Sequence, residues 1–238
     1  MTARVLVVQH QDDCPPAWVG EWLLEAGCAL DVRRPYAGDD LPTDLDDHDA
    51  VIVLGGSMGA DDDAQHPWLA ATKQLIRDAA DDATPVLGIC LGHQLAATAL
   101  GGRVGPNPRG QQLGLVPMGW TEAAGQDLLT RSLIGAEVGV FCNDEIVLEA
   151  PEGTVVLART PEGELQAARF APTVWGLQLH PEIDEHLLGV WAEEDRARHP
   201  DGVVDAALAR VAAARELLVA GWRPLAAALT AAGQSDHR

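Results

Sequence analysis

Basic side chains are scarce in this sequence. Its 16 Lys and Arg stand against 36 Asp and Glu, a formal net charge of −20 over 238 residues. A field of that sign repels polyanions, which excludes nucleic acid and anionic membrane surfaces as partners. Long apolar runs are missing too. None approaches the length of a bilayer span, so no transmembrane helix is expected. The opening M-T-A-R-V-L-V-V-Q carries one basic residue and too short an apolar stretch for a secretory signal. It reads as the first strand of a cytoplasmic protein.

Cysteine is sparse and unpatterned. Cys14, Cys28, Cys90 and Cys142 form no C-x-x-C pair and no Cys/His zinc spacing. In the cytoplasm they are expected as thiols, and all but Cys90 read as packing residues. The triple aspartate at 61–63 lacks the spaced ligands and turn glycine of a calcium loop, and reads as a solvated loop. Gly55-Gly56-Ser57-Met58-Gly59 lacks G-x-G-x-x-G spacing and is no dinucleotide fingerprint. No metal and no organic cofactor are expected, and no internal repeat is present.

What remains is an ordinary globular composition, 47% hydrophobic and 22% charged, in a chain long enough to bury a substantial core. Apolar runs at 4–9, 30–33, 50–54 and 86–89 read as strands. The segments 15–27 and 67–80 read as helices, the first opened by Pro15-Pro16 and closed near Gly27. This β-α-β-β-α-β-α order predicts an α/β three-layer sandwich with a mostly parallel sheet. From 104 to 175 short strands dominate: 115–120, 137–141, 154–158, 165–170 and 173–177. Beyond 184 the pattern turns helical, over 184–198, 203–220 and 224–232, with a frayed tail after Gly233.

The most informative stretch is 84–102, T-P-V-L-G-I-C-L-G-H-Q-L-A-A-T-A-L-G-G. A buried strand, Val86 to Ile89, turns sharply into a helix, with Cys90 at the turn between Gly88 and Gly92. That is the cysteine form of the nucleophile elbow, G-x-S-x-G in its serine version. A nucleophile at so tight a turn adopts strained φ/ψ, and the flanking chains come too close for Cβ atoms. Cys90 then sits at a helix N-terminus, where free N–H groups and the helix dipole favour thiolate. The N–H of Leu91 is placed to stabilise an oxyanion. On this stretch alone a buried cysteine in an ordinary βα turn is an equally good reading. The glycine loop at 55–59 leaves the end of a neighbouring strand, where open α/β sheets place their sites. Its Gly56 N–H is a candidate second oxyanion donor.

A cysteine nucleophile needs a base, and the base needs an orienting partner. Among the eight histidines, His180 has the best setting: it ends the apolar strand 174–179, with Glu182 just beyond Pro181. Glu182 would accept the Nδ1 proton and fix the tautomer. Its bland reading is an exposed carboxylate in the first turn of a helix. The helix carries His93 away from the sulfur. His10, His48, His66, His186, His199 and His237 read as surface or packing residues.

The elbow T-P-V-L-G-I-C-L-G-H-Q-L-A at 84–96, joined to the distant G-L-Q-L-H-P-E at 176–182, resembles the class I (triad) glutamine amidotransferases. The likeness extends through G-G-S-M-G (55–59), H-P-W-L (66–69), A-L-G-G-R-V (99–104) and Q-L-G-L-V-P (112–117). It covers residues 4–190 and is particularly similar to stand-alone, GMP-synthase-like members. It implies a flavodoxin-like class I amidotransferase domain over 1–198. The region beyond lies outside the likeness, and its Ala/Leu face (Ala207, Leu208, Val211, Leu217, Leu218) predicts a helical extension over 199–238 packed on the same domain. The likeness carries the site as well. It implies Cys90 as nucleophile, His180 as base and Glu182 as its orienter. Gly55 and Gly56 belong to the oxyanion loop, with Leu91 as the second donor, and Gln94 shapes the glutamine pocket.

The implied activity is glutamine amidohydrolysis through a Cys90 γ-glutamyl thioester. L-glutamine would be the substrate, and the ammonia acceptor a separate synthetase, since no ATP-binding acceptor domain is read in the chain. Two features depart from the family. Cys142-Asn143-Asp144 stands where many relatives carry His-Gly-Asp, and Gln112 where they often have glutamate. The first bears on the acceptor and the second on the glutamine pocket. Alternatives to the implied activity are a hydrolase of a γ-glutamyl peptide or amide, using the same triad with a wider pocket, and a non-catalytic partner-binding module that kept the elbow for folding.

Overall fold

The computed structural model describes residues 2–194 and 196–234. Residues 235–238, read from sequence as part of a frayed tail, lie outside the described residues, and His237 with them.

The first half follows the expected order. It comprises β1 (Arg4–Val8), α1 (Ala17–Glu25), β2 (Ala29–Arg33), β3 (Ala50–Val53), α2 (Trp68–Asp81), β4 (Val86–Ile89) and α3 (Leu91–Ala99). The second half adds β5 (Arg103–Pro106), β6 (Gln112–Pro117), β7 (Val138–Asn143), β8 (Glu145–Glu149), β9 (Val155–Arg159), β10 (Leu165–Ala171) and β11 (Val174–Leu177). Among the described residues, four helices follow: α4 (Glu185–Glu194), α5 (Val203–Ala213), α6 (Arg215–Trp222) and α7 (Pro224–Gln234).

Seven strands make the central sheet, in the order β2-β1-β3-β4-β11-β10-β9. The first five run parallel, and β10 and β9 are antiparallel to their neighbours. Strand alternation divides the interior into two apolar layers, as period-2 side chains require. Val5, Val7, Ala50, Ile52, Leu87 and Ile89 face one layer, shared with α1, α6 and α7. Leu6, Val8, Val51, Val53 and Val86 face the other, shared with α2 and α3. The architecture is therefore an α/β three-layer sandwich on a mostly parallel sheet, with helices added at the C-terminal end. Among the described residues no helix is long and apolar enough to cross a membrane.

Between β4 and β11 the sequence reading needs correction. The strands β6 and β7 are there, but at Gln112–Pro117 and Val138–Asn143, and they form a ladder of their own. The strands β5 and β8 pair in a second ladder and were not foreseen. The reason is local: β5 contains Gly105 and Pro106, both depleted in strands. β8 follows β7 with only Asp144 between them, so no turn signal separates the two.

The helical stretch 203–220 is also not one helix. It breaks at Ala214, whose φ of −95° and ψ of 4° end α5 although nothing in the Ala/Leu pattern marks a stop. Ala207, Val211, Leu218 and Trp222 are buried, and the Trp222 indole donates to the Val138 carbonyl at 3.0 Å. Leu217, read as part of the packing face, is instead 44% exposed.

Candidate active site

The parallel strands β3, β4 and β11 all end on one edge of the sheet, and the chain leaves each of them carrying a candidate residue. β3 leads into Gly55-Gly56, β4 into Cys90, and β11 into Gln178, His180 and Glu182. The ladder sets the register. Leu177 pairs with Ile89, and the Cys90 N–H donates to the Leu177 carbonyl at 2.8 Å. The tip of the elbow is thereby tied to the strand that delivers the histidine.

Cys90 has φ 50° and ψ −103°, a left-handed conformation that side-chain-bearing residues rarely adopt. Close packing explains the flanking glycines. A Cβ on Gly88 would collide with the Gly92 carbonyl, and one on Gly92 with that of Val53. The glycine loop after β3 is equally tight. A Cβ on Gly55 would lie 3.0 Å from the His180 ring and 3.7 Å from Cys90 Cβ, and one on Gly56 would lie 2.9 Å from the Leu91 side chain. The Leu91 N–H opens α3 and has no backbone acceptor among the described residues.

His180 is 3% exposed, and its Nδ1 lies 2.7 Å from Glu182 Oε1, itself 3% exposed. With Nδ1 held by the carboxylate, the other ring nitrogen is left for the sulfur, and the His180 ring and Cys90 pack side by side against Gly55. Burial pulls the imidazole's pKa down. The charges of Glu182 and of an ionised Cys90, with hydrogen bonds to both, outweigh it and carry the pKa up to about 10. Trp191 of α4 packs on the same ring, with centroids 4.7 Å apart, and its indole donates to the Asp13 carbonyl at 2.9 Å.

A cavity of about 460 Å³ opens over these groups, lined at its floor by Gly56, Cys90, Gln94 and His180. Gln94 is 4% exposed, and its Nε2 donates to the Glu145 carbonyl at 3.0 Å. The rim carries Asp13, Asp144, Glu194 and Arg198. Arg198 donates to both carboxylate oxygens of Asp144, at 2.9 and 2.6 Å.

All seven residues singled out from the sequence thus meet at one strand edge: Gly55, Gly56, Cys90, Leu91, Gln94, His180 and Glu182. Cys28 packs in the core. Cys14 is buried and Cys142 packs against the same core, and both also line the cavity. The Cys14 thiol is pushed well above its usual range by burial, with Asp13 and Glu182 adding to the effect. His93 lies under the sheet against Phe170, and burial lowers its pKa to about 4. Among the described residues no group of three or more His, Cys, Asp or Glu is arranged to hold a metal ion.

Three residues of the site were missed: Gln178, Trp191 and Arg198. For Gln178 a signal existed, since in an extended run it lies two residues before His180 and so faces the same side. Trp191 and Arg198 follow in the helical region, where nothing local points to the cavity.

The family model "Glutamine amidotransferase class-I" matches residues 18–190. The glutamine amidotransferase-like protein YfeJ of Salmonella typhimurium is 31% identical over 184 residues, 76% of each chain. γ-Glutamyl peptidase 5 of Arabidopsis thaliana is 31% identical over 149 residues, 61% of this chain and 58% of that one. The match therefore spans less than two thirds of the peptidase's length. The crystal structure of a glutamine amidotransferase from Methylobacillus flagellatus superposes with a TM-score of 0.86, covering 100% of this chain and 98% of that one at 24% identity. That likeness speaks for the fold. With the elbow cysteine and the H-P-E histidine and glutamate all inside the matched span, the chain belongs to the class I glutamine amidotransferase family.

Proposed function

We propose that the protein hydrolyses the γ-amide of L-glutamine through a γ-glutamyl thioester on Cys90. One observation carries the reading: a single buried imidazole, that of His180, is held by the Glu182 carboxylate at 2.7 Å and shares the cavity floor with Cys90. The thiolate attacks the amide carbon, and the carbonyl oxygen takes on negative charge against the N–H groups of Leu91 and Gly56. One such donor is worth on the order of 10²–10³ in rate. The imidazolium of His180 gives its proton to the amide nitrogen, and ammonia departs as the C–N bond breaks. Neutral His180 then takes a proton from water, whose oxygen attacks the thioester. Collapse releases glutamate, and the proton returns to the sulfur–imidazole pair. Gln94 shapes the pocket for the glutamyl chain. The chemistry lies within residues 1–198, and the described residues beyond them, 199–234, are a helical extension packed on the same domain. Ammonia passes to a separate synthetase or to solution.

The test is release of ammonia and glutamate from glutamine by the purified chain. Turnover that disappears in Cys90→Ala is expected. Equal turnover by that variant, or none by the parent with or without candidate synthetases, contradicts the reading and favours a non-catalytic binding module.

A second reading, hydrolysis of γ-glutamyl amides of larger amines or peptides, is favoured by the cavity. Its 460 Å³ lies in the range of pockets that hold drug-sized ligands, about 300–1,000 Å³. Its walls are acidic: the Glu145 carboxyl is pushed up by burial, with Asp62, Asp61 and Asp144 adding to the effect. An amine leaving group with a second positive charge suits that wall better than an anionic one. Competition between glutamine and γ-glutamyl amides of diamines for thioester formation separates the two readings. Preference for glutamine removes the second.

A further inference from the structure

The sulfur of Cys90 has a neighbour that the reaction as written does not use. The side-chain Nε2 of Gln178 lies 3.7 Å from it, and Gln178 is 1% exposed. We propose that Gln178 is a fixed hydrogen-bond donor to the Cys90 sulfur that holds it as thiolate and stabilises it again when it leaves the thioester. The proposal rests on Cys90 being the nucleophile.

The direction of the Gln178 amide decides the matter, because only its NH₂ end favours an anion. That direction is set from outside. Gln94 Nε2 donates to the Glu145 backbone carbonyl at 3.0 Å, which fixes its own orientation. The same Nε2 points at Gln178 Oε1, 3.4 Å away. Turning the Gln178 amide over would set donor against donor at Gln94, and a carbonyl oxygen against the sulfur. Both contacts would be lost at a side chain that is only 1% exposed. The backbone is held as well, since the Gln178 N–H donates to the Gln166 carbonyl at 2.9 Å. A chain of amides, from the Glu145 carbonyl through Gln94 to Gln178, therefore ends in N–H groups aimed at the nucleophile.

The other contacts of the sulfur show why a donor matters. The Cys142 carbonyl, 3.9 Å away, can only accept, so it favours the protonated thiol. His180 serves either form, as acceptor from the thiol or donor to the thiolate. Gln178 counterbalances the carbonyl. Its donation strengthens when the sulfur ionises, as hydrogen bonds to charged partners do. It acts both in attack on the amide and in departure of sulfur from the thioester.

The experiment is alkylation of Cys90 by iodoacetamide across pH, read on the peptide that carries it, with no substrate present. Gln178→Met keeps length and removes the donor. Gln178→Glu keeps the acceptor for Gln94 and turns an oxygen toward the sulfur. Both are expected to move the alkylation midpoint to higher pH, the methionine variant by enough to slow alkylation about tenfold below the midpoint. The glutamate variant should slow it further. Melting temperature and circular dichroism report folding separately. A folded methionine or glutamate variant with the parent's alkylation profile overturns the proposal.

Should neither variant fold, the unsubstituted chain decides. The Gln178 side-chain amide resonance should move with the same pH midpoint as alkylation, and a resonance that ignores that midpoint overturns the proposal. Glutamine turnover surviving in Cys90→Ala would instead sink the reading of Cys90 as nucleophile, so the two failures stay distinct.

Discussion

The floor and the rim of the cavity are built by different physics. At the floor, Cys90, His180 and Glu182 are 6%, 3% and 3% exposed, and each follows closely on the end of a parallel strand. Backbone ladders fix their spacing, and low polarity around them strengthens every charge interaction. At the rim, Arg198 and Asp144 have side chains 54% and 44% exposed, and they join segments far apart in sequence. Water and salt screen such a pair. The lesson is that backbone ladders hold the floor in place, whereas the rim rests on a screened surface pair.

The sharpest way to break this contrast is at Glu182. In Glu182→Gln the imidazole loses its orienting charge, and kcat/KM for glutamine should fall on the order of 10²–10⁴-fold. His180 would also turn neutral at lower pH than the value of about 10 that it reaches beside Glu182 and Cys90. The alkaline limb of a pH–rate profile should therefore move down. A variant with parental rate and profile would mean that the floor is no more coupled than the rim.

The next comparison sets a buried ion pair against an exposed one. Asp127, with a side chain 3% exposed, accepts from Arg169 at 2.9 Å, from the Trp175 indole at 3.0 Å and from the Leu129 N–H at 2.9 Å. Asp127→Ala leaves those donors without a partner and should cost about 3 kcal/mol in urea unfolding. A loss under about 1 kcal/mol would place it with the rim pairs.

Asp31 stands between these extremes. Hydrogen bonding to Arg33, against the opposing effect of burial and helped by His48 and Arg4, holds its carboxyl down at about 2. A depressed carboxyl stabilises the fold above its unfolded pKa and ceases to do so as pH falls through the folded value. About 2 kcal/mol should thus disappear between pH ~4 and ~2. Asp31→Asn should flatten that part of the stability curve, and an unchanged curve would refute the assignment.

The smallest effect belongs to the rim. Arg198→Ala should change stability by less than about 1 kcal/mol and leave glutamine turnover close to parental. A large loss of turnover in a stable variant would show that the rim takes part in the chemistry.

The same contrast explains what could be read from the sequence. The elbow was legible because close packing forces Gly88 and Gly92, and they frame a cysteine held at a strained turn; the H-P-E segment was legible because its strand ends at a histidine. Parallel order followed from short β-branched runs alternating with amphipathic helices. The ladders of β5 with β8 and β6 with β7 depend on pairings between distant segments, and β5 is built partly from residues that discourage strands. The break at Ala214 is imposed by packing rather than by any residue that stops a helix. Arg198 reaches Asp144 across 54 positions, so no periodicity could announce it. Gln178 could have been found, because its place two residues before His180 puts both on one side of an extended chain.

The most direct test of the central claim is a rapid acid quench of the protein with glutamine, followed by mass analysis of the Cys90 peptide. A γ-glutamyl group on that sulfur, absent from Cys90→Ala and scarce in His180→Ala, is the predicted result. Glutamine turnover with no such adduct on Cys90, or with an adduct elsewhere, would contradict the account.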